Sequence, residues 1–240
     1  QEVANVVSQK STKIEGTLYI GSDQIENSSI TDISGLNTIS AIQGLVIISK
    51  NLALKSLVGL SNVSELEGLQ ILNNPKLADL NGLDHLKEVT GRLEINENNA
   101  LMTLTGLEGL SKVRGSFVIN SNELLQTLKG LDNLEMVNDF IIQDNYKLEN
   151  LNGLEGLSLI ATNFYLWNNY ELKNVDGLKG LKNVGNDLVF RLNRSLSNLD
   201  GLTNLTYLGK KLSIANNSDG ALISIVGLKN LKSNGLEISI

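Results

Sequence analysis

A repeat of about 24 residues organises the whole chain. A Gly-Leu pair recurs nine times in phase, at spacings of 24, 23, 24, 24, 23, 24, 24 and 26 residues. The repeated glycines are Gly35, Gly59, Gly82, Gly106, Gly130, Gly153, Gly177, Gly201 and Gly227. A fixed period of roughly 20 to 50 residues is typical of solenoids, propellers and other repeat arrays. One such unit is too small to bury its own apolar side chains, so successive units must stack against each other.

Each unit changes its apolar spacing partway along. Aliphatic residues first recur at every third position, as Leu101, Leu104 and Leu107 do. A single long helix would not keep them on one side, so this segment must bend. The spacing then shortens to every second position, as in Phe117 and Ile119, which indicates a short strand with one buried face. We therefore predict a mainly β solenoid of about nine coils, each of 23–24 residues, with parallel sheets along its length.

An asparagine stands eight residues before each of the first eight repeated glycines, and a short insertion displaces the ninth. A buried amide side chain both donates and accepts hydrogen bonds, so one asparagine per coil can satisfy the turn backbone of neighbouring coils. We predict an inward-facing asparagine ladder at the end of the strands. Its members are Asn27, Asn51, Asn74, Asn98, Asn122, Asn145, Asn169, Asn193 and Asn217.

Two further rows of residues flank the repeated glycine. Three residues before it come small polar side chains, which we expect to cap a turn. These are Asp32, Ser56, Asp79, Thr103, Thr127, Asn150, Asn174, Asn198 and Ser224. Three residues after it, Asn or Gly predominates, for which we expect a left-handed turn conformation. That second row comprises Asn62, Gly109, Asn133, Gly156, Gly180, Asn204 and Asn230. The only histidine, His85, occupies the same position, so we expect a solvated turn residue and not a base or a metal ligand.

The composite unit Leu-x-Ile-x-Asn-Asn-x-x-Leu-x-x-Leu-x-Gly-Leu-x-x-Leu-x-x-Val resembles the receptor L-domain, most closely at residues 69–89 and 166–184. That family is a right-handed β-helix-like relative of leucine-rich repeats, found in extracellular parts of insulin and epidermal growth factor receptors and in bacterial surface proteins. An ordinary leucine-rich-repeat horseshoe is the alternative, although it usually places the next leucine two residues after the asparagine. Here the interval is three, from Asn98 to Leu101.

The resemblance implies a location outside the cell or at its surface, with secretion or a lipid anchor that this sequence does not contain. The chain has no cysteine, so the disulfide caps and ligands of the animal receptors are not implied. The bacterial surface type fits better.

We expect one solenoid domain over residues 14–240, preceded by an N-terminal cap over residues 1–15. Apolar residues at helical spacing in residues 2–10 predict a short capping helix. At the other end, residues 236–240 alternate as a strand with an open edge, which favours pairing with another chain. We expect that the natural protein continues beyond Ile240 or that a partner covers the last coil, and that this edge permits self-association.

Composition removes several classes of function. Without cysteine and with one histidine, the chain offers no disulfide framework, no thiolate metal site and no multi-histidine site. We expect no enzyme activity, no cofactor and no bound metal. The formal charge of −6 indicates no nucleic-acid partner, and no apolar run approaches the ~20 residues of a membrane span.

The outward face of the sheet is the remaining candidate for function. Outward residues should alternate with buried ones, and in the second coil we expect Val46 and Ile48 to point outward. The strongest predicted patch lies further along. It comprises Tyr165, Trp167, Val189 and Arg191, flanked by Ile141 and Gln143.

Stacking at ~4.8 Å per coil would bring this patch together, and Trp, Tyr and Arg are the residues enriched at binding hot spots. We therefore expect a non-enzymatic recognition module that binds a protein or a glycan at a cell surface. The alternative is a structural spacer or adhesin stalk that has no ligand of its own.

Overall fold

The computed structural model describes residues 12–22, 27–217, 224–232 and 237–239. Over these ranges the chain forms a parallel β-solenoid of about nine turns, which confirms the predicted fold class. The predicted capping helix in residues 2–10 lies outside the described residues, and so do Leu236 and Ile240 of the last strand. None of the described helical segments is long and apolar enough to span a membrane.

The described residues contain seventeen strands and five single turns of 3₁₀ helix. The strands are β1 (Lys13–Glu15), β2 (Leu18–Gly21), β3 (Ala41–Gln43), β4 (Leu45–Ser49), β5 (Glu65–Leu66), β6 (Gly68–Leu72), β7 (Glu88–Val89), β8 (Leu93–Asn96), β9 (Lys112–Asn120), β10 (Met136–Gln143), β11 (Leu159–Ile160), β12 (Phe164–Trp167), β13 (Asn183–Val184), β14 (Asp187–Arg191), β15 (Tyr207–Leu208), β16 (Lys211–Ala215) and β17 (Glu237–Ser239). The 3₁₀ turns are Ser34–Leu36, Val58–Leu60, Asp176–Leu178, Asp200–Leu202 and Val226–Leu228.

One long parallel sheet takes a strand from each successive coil. Its order is β2-β4-β6-β8-β9-β10-β12-β14-β16-β17. A second row of short strands runs beside it in the order β5-β7-β9-β10-β11-β13-β15. Strands β9 and β10 are long enough to take part in both rows, and β1 pairs with β3 separately. Residues one coil apart therefore lie side by side along the whole stack.

The apolar side chains of all coils form one continuous core. Leu101, Leu104 and Leu107, spaced three apart, are fully buried, because the chain bends between them and points each one inward. Phe117, Phe140 and Phe164 occupy paired positions on neighbouring strands, and their rings stack with centroids 5.1 and 5.4 Å apart. The core is thus ordered along the stack by contacts between equivalent side chains.

The asparagine ladder runs through the described coils from Asn51 onward. Eight of the nine predicted asparagines, Asn51, Asn74, Asn98, Asn122, Asn145, Asn169, Asn193 and Asn217, are buried. The amide nitrogen Nδ2 of Asn122 donates to the carbonyl oxygen of Ile95 in the preceding coil at 3.0 Å and to that of Asn120 in its own coil at 3.0 Å. This ladder amide thus adds hydrogen bonds to backbone carbonyls at the end of the strands, both in its own coil and in the preceding one.

Asn27 was predicted to be the first member of the ladder, and this is wrong because its side chain is exposed. Gly21 pairs with Ser49 in the sheet, and Asn51 stands two residues after Ser49. The same two-residue step from Gly21 gives position 23, which is four residues before Asn27. The first coil therefore contains extra residues, and the fixed distance to the repeated glycine fails there.

The outward assignment of Val46 and Ile48 is also wrong. Both are fully buried, since they pair with the buried Leu69 and Ile71 of the next strand. The segment Leu45–Ile48 is aliphatic throughout, so its alternation gives no sign of which side faces the core.

Left-handed backbone occurs one residue before each ladder asparagine and not in the row three residues after the glycine. The residues with positive φ, between 53° and 58°, are Lys50, Asn73, Glu97, Ser121, Asp144, Asn168, Leu192 and Asn216. In the other row, Asn62 and Asn133 instead donate from Nδ2 to backbone carbonyls of the preceding coil, at 2.6 and 2.7 Å. That row is therefore a second, exposed set of contacts between coils.

The predicted capping row is confirmed at eight of its nine positions. At Asp79, for example, the carboxylate accepts a hydrogen bond of 3.0 Å from the backbone N–H of Asn81. Equivalent bonds are made by Asp32, Ser56, Thr103, Asn150, Asn174, Asn198 and Ser224. Thr127 differs, because its hydroxyl donates to the carbonyl of Asn152 in the next coil.

Candidate ligand-binding surface

The register of the sheet brings the six predicted binding residues together. One row pairs Ile141 with Tyr165 and Tyr165 with Val189. The adjacent outward row pairs Gln143 with Trp167 and Trp167 with Arg191. All six side chains lie on the face away from the core and are partly or fully exposed. We call these residues, Ile141, Gln143, Tyr165, Trp167, Val189 and Arg191, the outward patch.

Two aromatic rings form the centre of the outward patch. The rings of Tyr165 and Trp167 lie with their centroids 5.1 Å apart and their planes tilted by 51°. The indole nitrogen Nε1 of Trp167 is buried, yet its N–H has no hydrogen-bond partner in the described structure. An unsatisfied buried donor costs about 1–3 kcal/mol.

A groove opens beside Trp167, toward the C-terminal end of the stack. Its volume is about 320 Å³, and it is lined by Trp167, Asp187, Val189, Arg191, Lys211, Ser213, Ala215 and Asn216. Ser213 pairs with Val189, and Ala215 with Arg191. Because Ser213 and Ala215 are small, the sheet surface falls away at β16 and leaves space beside the indole.

The charged groups of the groove differ in how they are paired. Lys211 Nζ lies 2.7 Å from a carboxylate oxygen of Glu237, and this hydrogen bond raises the pKa of the lysine. Arg191 is exposed and makes no ion pair among the described residues. Burial raises the pKa of the Tyr165 hydroxyl, and the negative charges of Asp187 and Asp139 raise it further. The guanidinium of Arg191 is therefore the positive charge in the groove that an anionic ligand can pair with.

A second aromatic cluster lies just beyond the ladder and was missed in the sequence. The rings of Tyr146 and Tyr170 stack with centroids 5.1 Å apart, and the guanidinium carbon of Arg194 lies 4.8 Å from the centre of the Tyr170 ring. Each of the three residues directly follows a ladder asparagine in successive coils. The repeat count that predicts the ladder also places these three residues side by side, but they lie in turns, where no alternation of apolar residues marks an outward face.

A polar groove of about 440 Å³ adjoins Tyr146. It is lined by Asn73, Glu97, Asn99, Ser121, Glu123, Asp144 and Tyr146. The charge of Asp144 is the main cause that raises the pKa of Tyr146. Despite these carboxylates, the described ranges contain no group of three or more His, Cys, Asp or Glu side chains that could hold a metal ion. His85 is exposed, as expected for a turn residue.

The sequence matches no protein-family model, and no curated protein matches it.

Proposed function

We propose that this solenoid is a non-enzymatic recognition module that binds a protein or glycan partner through the outward patch. The observation that carries the proposal is the groove in which the partly exposed Trp167 lies beside Arg191, an exposed guanidinium that makes no ion pair among the described residues. An aromatic side chain beside an exposed charge in a groove is typical of a ligand-binding surface.

The sheet holds the patch rigid before any ligand arrives. Tyr165 and Trp167 lie on a central strand, β12, which is hydrogen-bonded to β10 on one side and β14 on the other. Side chains on such a scaffold lose little conformational entropy on binding. Aromatic and arginine side chains also contribute most per residue to binding free energies.

We also propose that the chain is a distant relative of the receptor L-domain, of the bacterial surface type, and that it acts at a cell surface or outside the cell. The support for this assignment is the repeat unit and the parallel solenoid with its buried asparagines.

The second candidate function is a structural spacer or adhesin stalk. The apolar core and the ladder continue from coil to coil, so the stack is suited to hold another domain at a distance. A spacer would depend on the number of coils and not on the outward patch. Substitutions in the patch therefore distinguish the two functions.

The test is a binding screen of surface glycans and candidate protein partners with three proteins. They are the parent, a Trp167→Ala, Arg191→Ala variant and a Tyr207→Ala control, which removes an exposed tyrosine from another face. Equal urea denaturation midpoints would establish that all three are folded alike. We expect a ligand that binds the parent and the control but not the double variant. A ligand that binds all three alike would place the site elsewhere.

A further inference from the structure

We infer that the groove beside Trp167 binds a carbohydrate that carries a carboxylate, with a sugar ring against the indole and the carboxylate on Arg191. This inference rests on the proposed function and names the class of its ligand. Four features support it: the aromatic wall, the small residues beside it, the polar groups around it, and the distribution of charge.

The wall of the groove suits a sugar ring. The indole of Trp167 is held at an angle by Tyr165 and remains partly exposed. The C–H face of a pyranose packs well against an aromatic ring because both surfaces are flat and apolar. The short side chains of Ser213 and Ala215 leave the space that the ring needs. A volume of about 320 Å³ also fits a short oligosaccharide end better than a folded protein surface.

The rim of the groove offers hydrogen bonds of both kinds. Asp187 can accept hydrogen bonds from sugar hydroxyls, while Asn216 and Ser213 can donate and accept. A ligand rich in hydroxyl groups satisfies all of these positions, whereas an apolar peptide side chain would leave them unpaired.

The charges select an acidic sugar over a neutral one. Lys211 is ion-paired with Glu237, whereas Arg191 is an exposed cation of the groove that makes no ion pair among the described residues. Asp187 and Arg191 lie at opposite ends of β14, about 13 Å apart at the usual rise of ~3.3 Å per residue. A ligand can therefore place its carboxylate on Arg191 and its hydroxyls near Asp187 without bringing like charges together. An arginine binds a carboxylate in a bidentate manner.

The experiment uses the fact that Trp167 is the single tryptophan of the chain, so its fluorescence reports on this groove alone. Two matched pairs of probes are titrated into the protein at millimolar concentrations: sialyllactose against lactose, and trigalacturonic acid against galactotriose. We expect at least one acidic probe to shift the emission of Trp167 and to bind about tenfold or more tightly than its neutral counterpart.

Three variants of the groove are then compared by calorimetry. Arg191→Gln should reduce the preference for the acidic probe to about twofold or less, while Trp167→Ala should weaken binding by about tenfold or more. Trp167→Phe keeps a stacking face without the N–H and should lie between the parent and the alanine variant. Arg114→Gln, which changes an exposed arginine on β9, is the matched control and should bind like the parent.

The inference is overturned if neither acidic probe alters the fluorescence or releases heat, if the neutral sugars bind as tightly, or if Arg191→Gln keeps the preference. A protein partner whose binding depends on Trp167 and Arg191, found while all four sugars fail, would leave the proposed function standing and overturn the sugar ligand. If neither a sugar nor a protein partner depends on the outward patch for binding, the proposed function and the sugar ligand are both overturned.

Discussion

The backbone N–H of Asn122 donates a hydrogen bond of 3.1 Å to the side-chain oxygen Oδ1 of Asn145, one coil later. The amide nitrogen Nδ2 of Asn122 reaches the same oxygen at 3.2 Å and the carbonyl of Ile95 in the preceding coil at 3.0 Å. One side chain thus joins three consecutive coils. Because the ladder members from Asn51 to Asn193 all repeat this arrangement, the buried asparagines fix the spacing of the stack at the end of the strands.

Replacing Asn122 with alanine should destabilise the protein strongly. The change removes the hydrogen bond from Asn122 to the Ile95 carbonyl, and it removes the acceptor of the Asn98 backbone N–H, which is Asn122 Oδ1. Each buried group left unsatisfied costs about 1–3 kcal/mol. Asn133→Ala also removes a bond between coils, to the Glu108 carbonyl, but Asn133 is exposed and water can replace it. Urea denaturation measures the free energy of unfolding of both variants. Equal losses of stability would contradict the larger contribution assigned to the buried Asn122.

The phenylalanine stack predicts a second stability effect. Phe140 is fully buried and stacked on both sides, by Phe117 and Phe164. Phe140→Ala should cost about 3–5 kcal/mol, because it opens a cavity in a core that spans adjacent coils. Phe140→Leu should cost markedly less, since Leu188 fills the equivalent inward position two coils further along. The free energies of unfolding of the two variants provide the measurement. An alanine variant as stable as the leucine variant would show that the stack contributes little.

The ion pair between Lys173 and Glu149 predicts a local pH effect. Lys173 Nζ lies 2.7 Å from Glu149 Oε2, and this hydrogen bond, together with the positive charge, lowers the pKa of the carboxyl. A lowered carboxyl pKa contributes stability above the ordinary pKa of glutamate, and this contribution is lost as the pH falls through the lowered value. Both side chains are exposed, so the effect on overall stability is small.

The measurement is therefore an NMR titration of the Glu149 carboxyl in the Lys173→Gln variant. Its pKa should rise toward the ordinary value of about 4.3. The pKa of Glu88, which Arg114 lowers, serves as the internal control and should stay low. An unchanged Glu149 pKa would mean that the ion pair does not form in solution.

The last described strand predicts self-association. Within the described residues, β17 pairs only with β16, and the side chain of Ile238 is 59% exposed. An open, partly apolar strand edge is a template for another chain. We expect the apparent mass from light scattering to rise with protein concentration, and Ile238→Lys to suppress the rise. Leu124→Lys, at an exposed position in the middle of the stack, is the control. A parent protein that stays monomeric at high concentration would contradict self-association through β17.

The repeat predicted most of this structure because a fixed period determines which residues become neighbours in the stack. Residues one period apart must lie side by side in a stack, so the positions of Asn74 or Asn122 could be counted along the chain without further information. The same counting placed Tyr165 beside Val189 and Trp167 beside Arg191, as the register shows.

Counting along the repeat fails where a coil has a different length, and the alternation of apolar residues fails where every residue of a strand is aliphatic. Asn27 stands after extra residues in the first coil, and the sequence does not reveal on which side of the ladder position they lie. Val46 and Ile48 belong to an aliphatic segment in which either face could be buried. The left-handed residues before the ladder, such as Lys50 and Leu192, have no common side-chain chemistry. Their conformation is imposed by the turn and not by residue type.

The shared orientation of the ladder amides gives the solenoid a chemical direction. Each oxygen Oδ1 beyond the first accepts hydrogen bonds from the asparagine before it, as Asn74 does from Asn51. The Oδ1 of Asn51 itself is buried and has no partner within the described part of the chain. The hydrogen bonds between successive ladder amides therefore all run in one sense, from Asn51 toward Asn217. An element that packs against the first member must bring a hydrogen-bond donor to its Oδ1, because an amide oxygen can only accept.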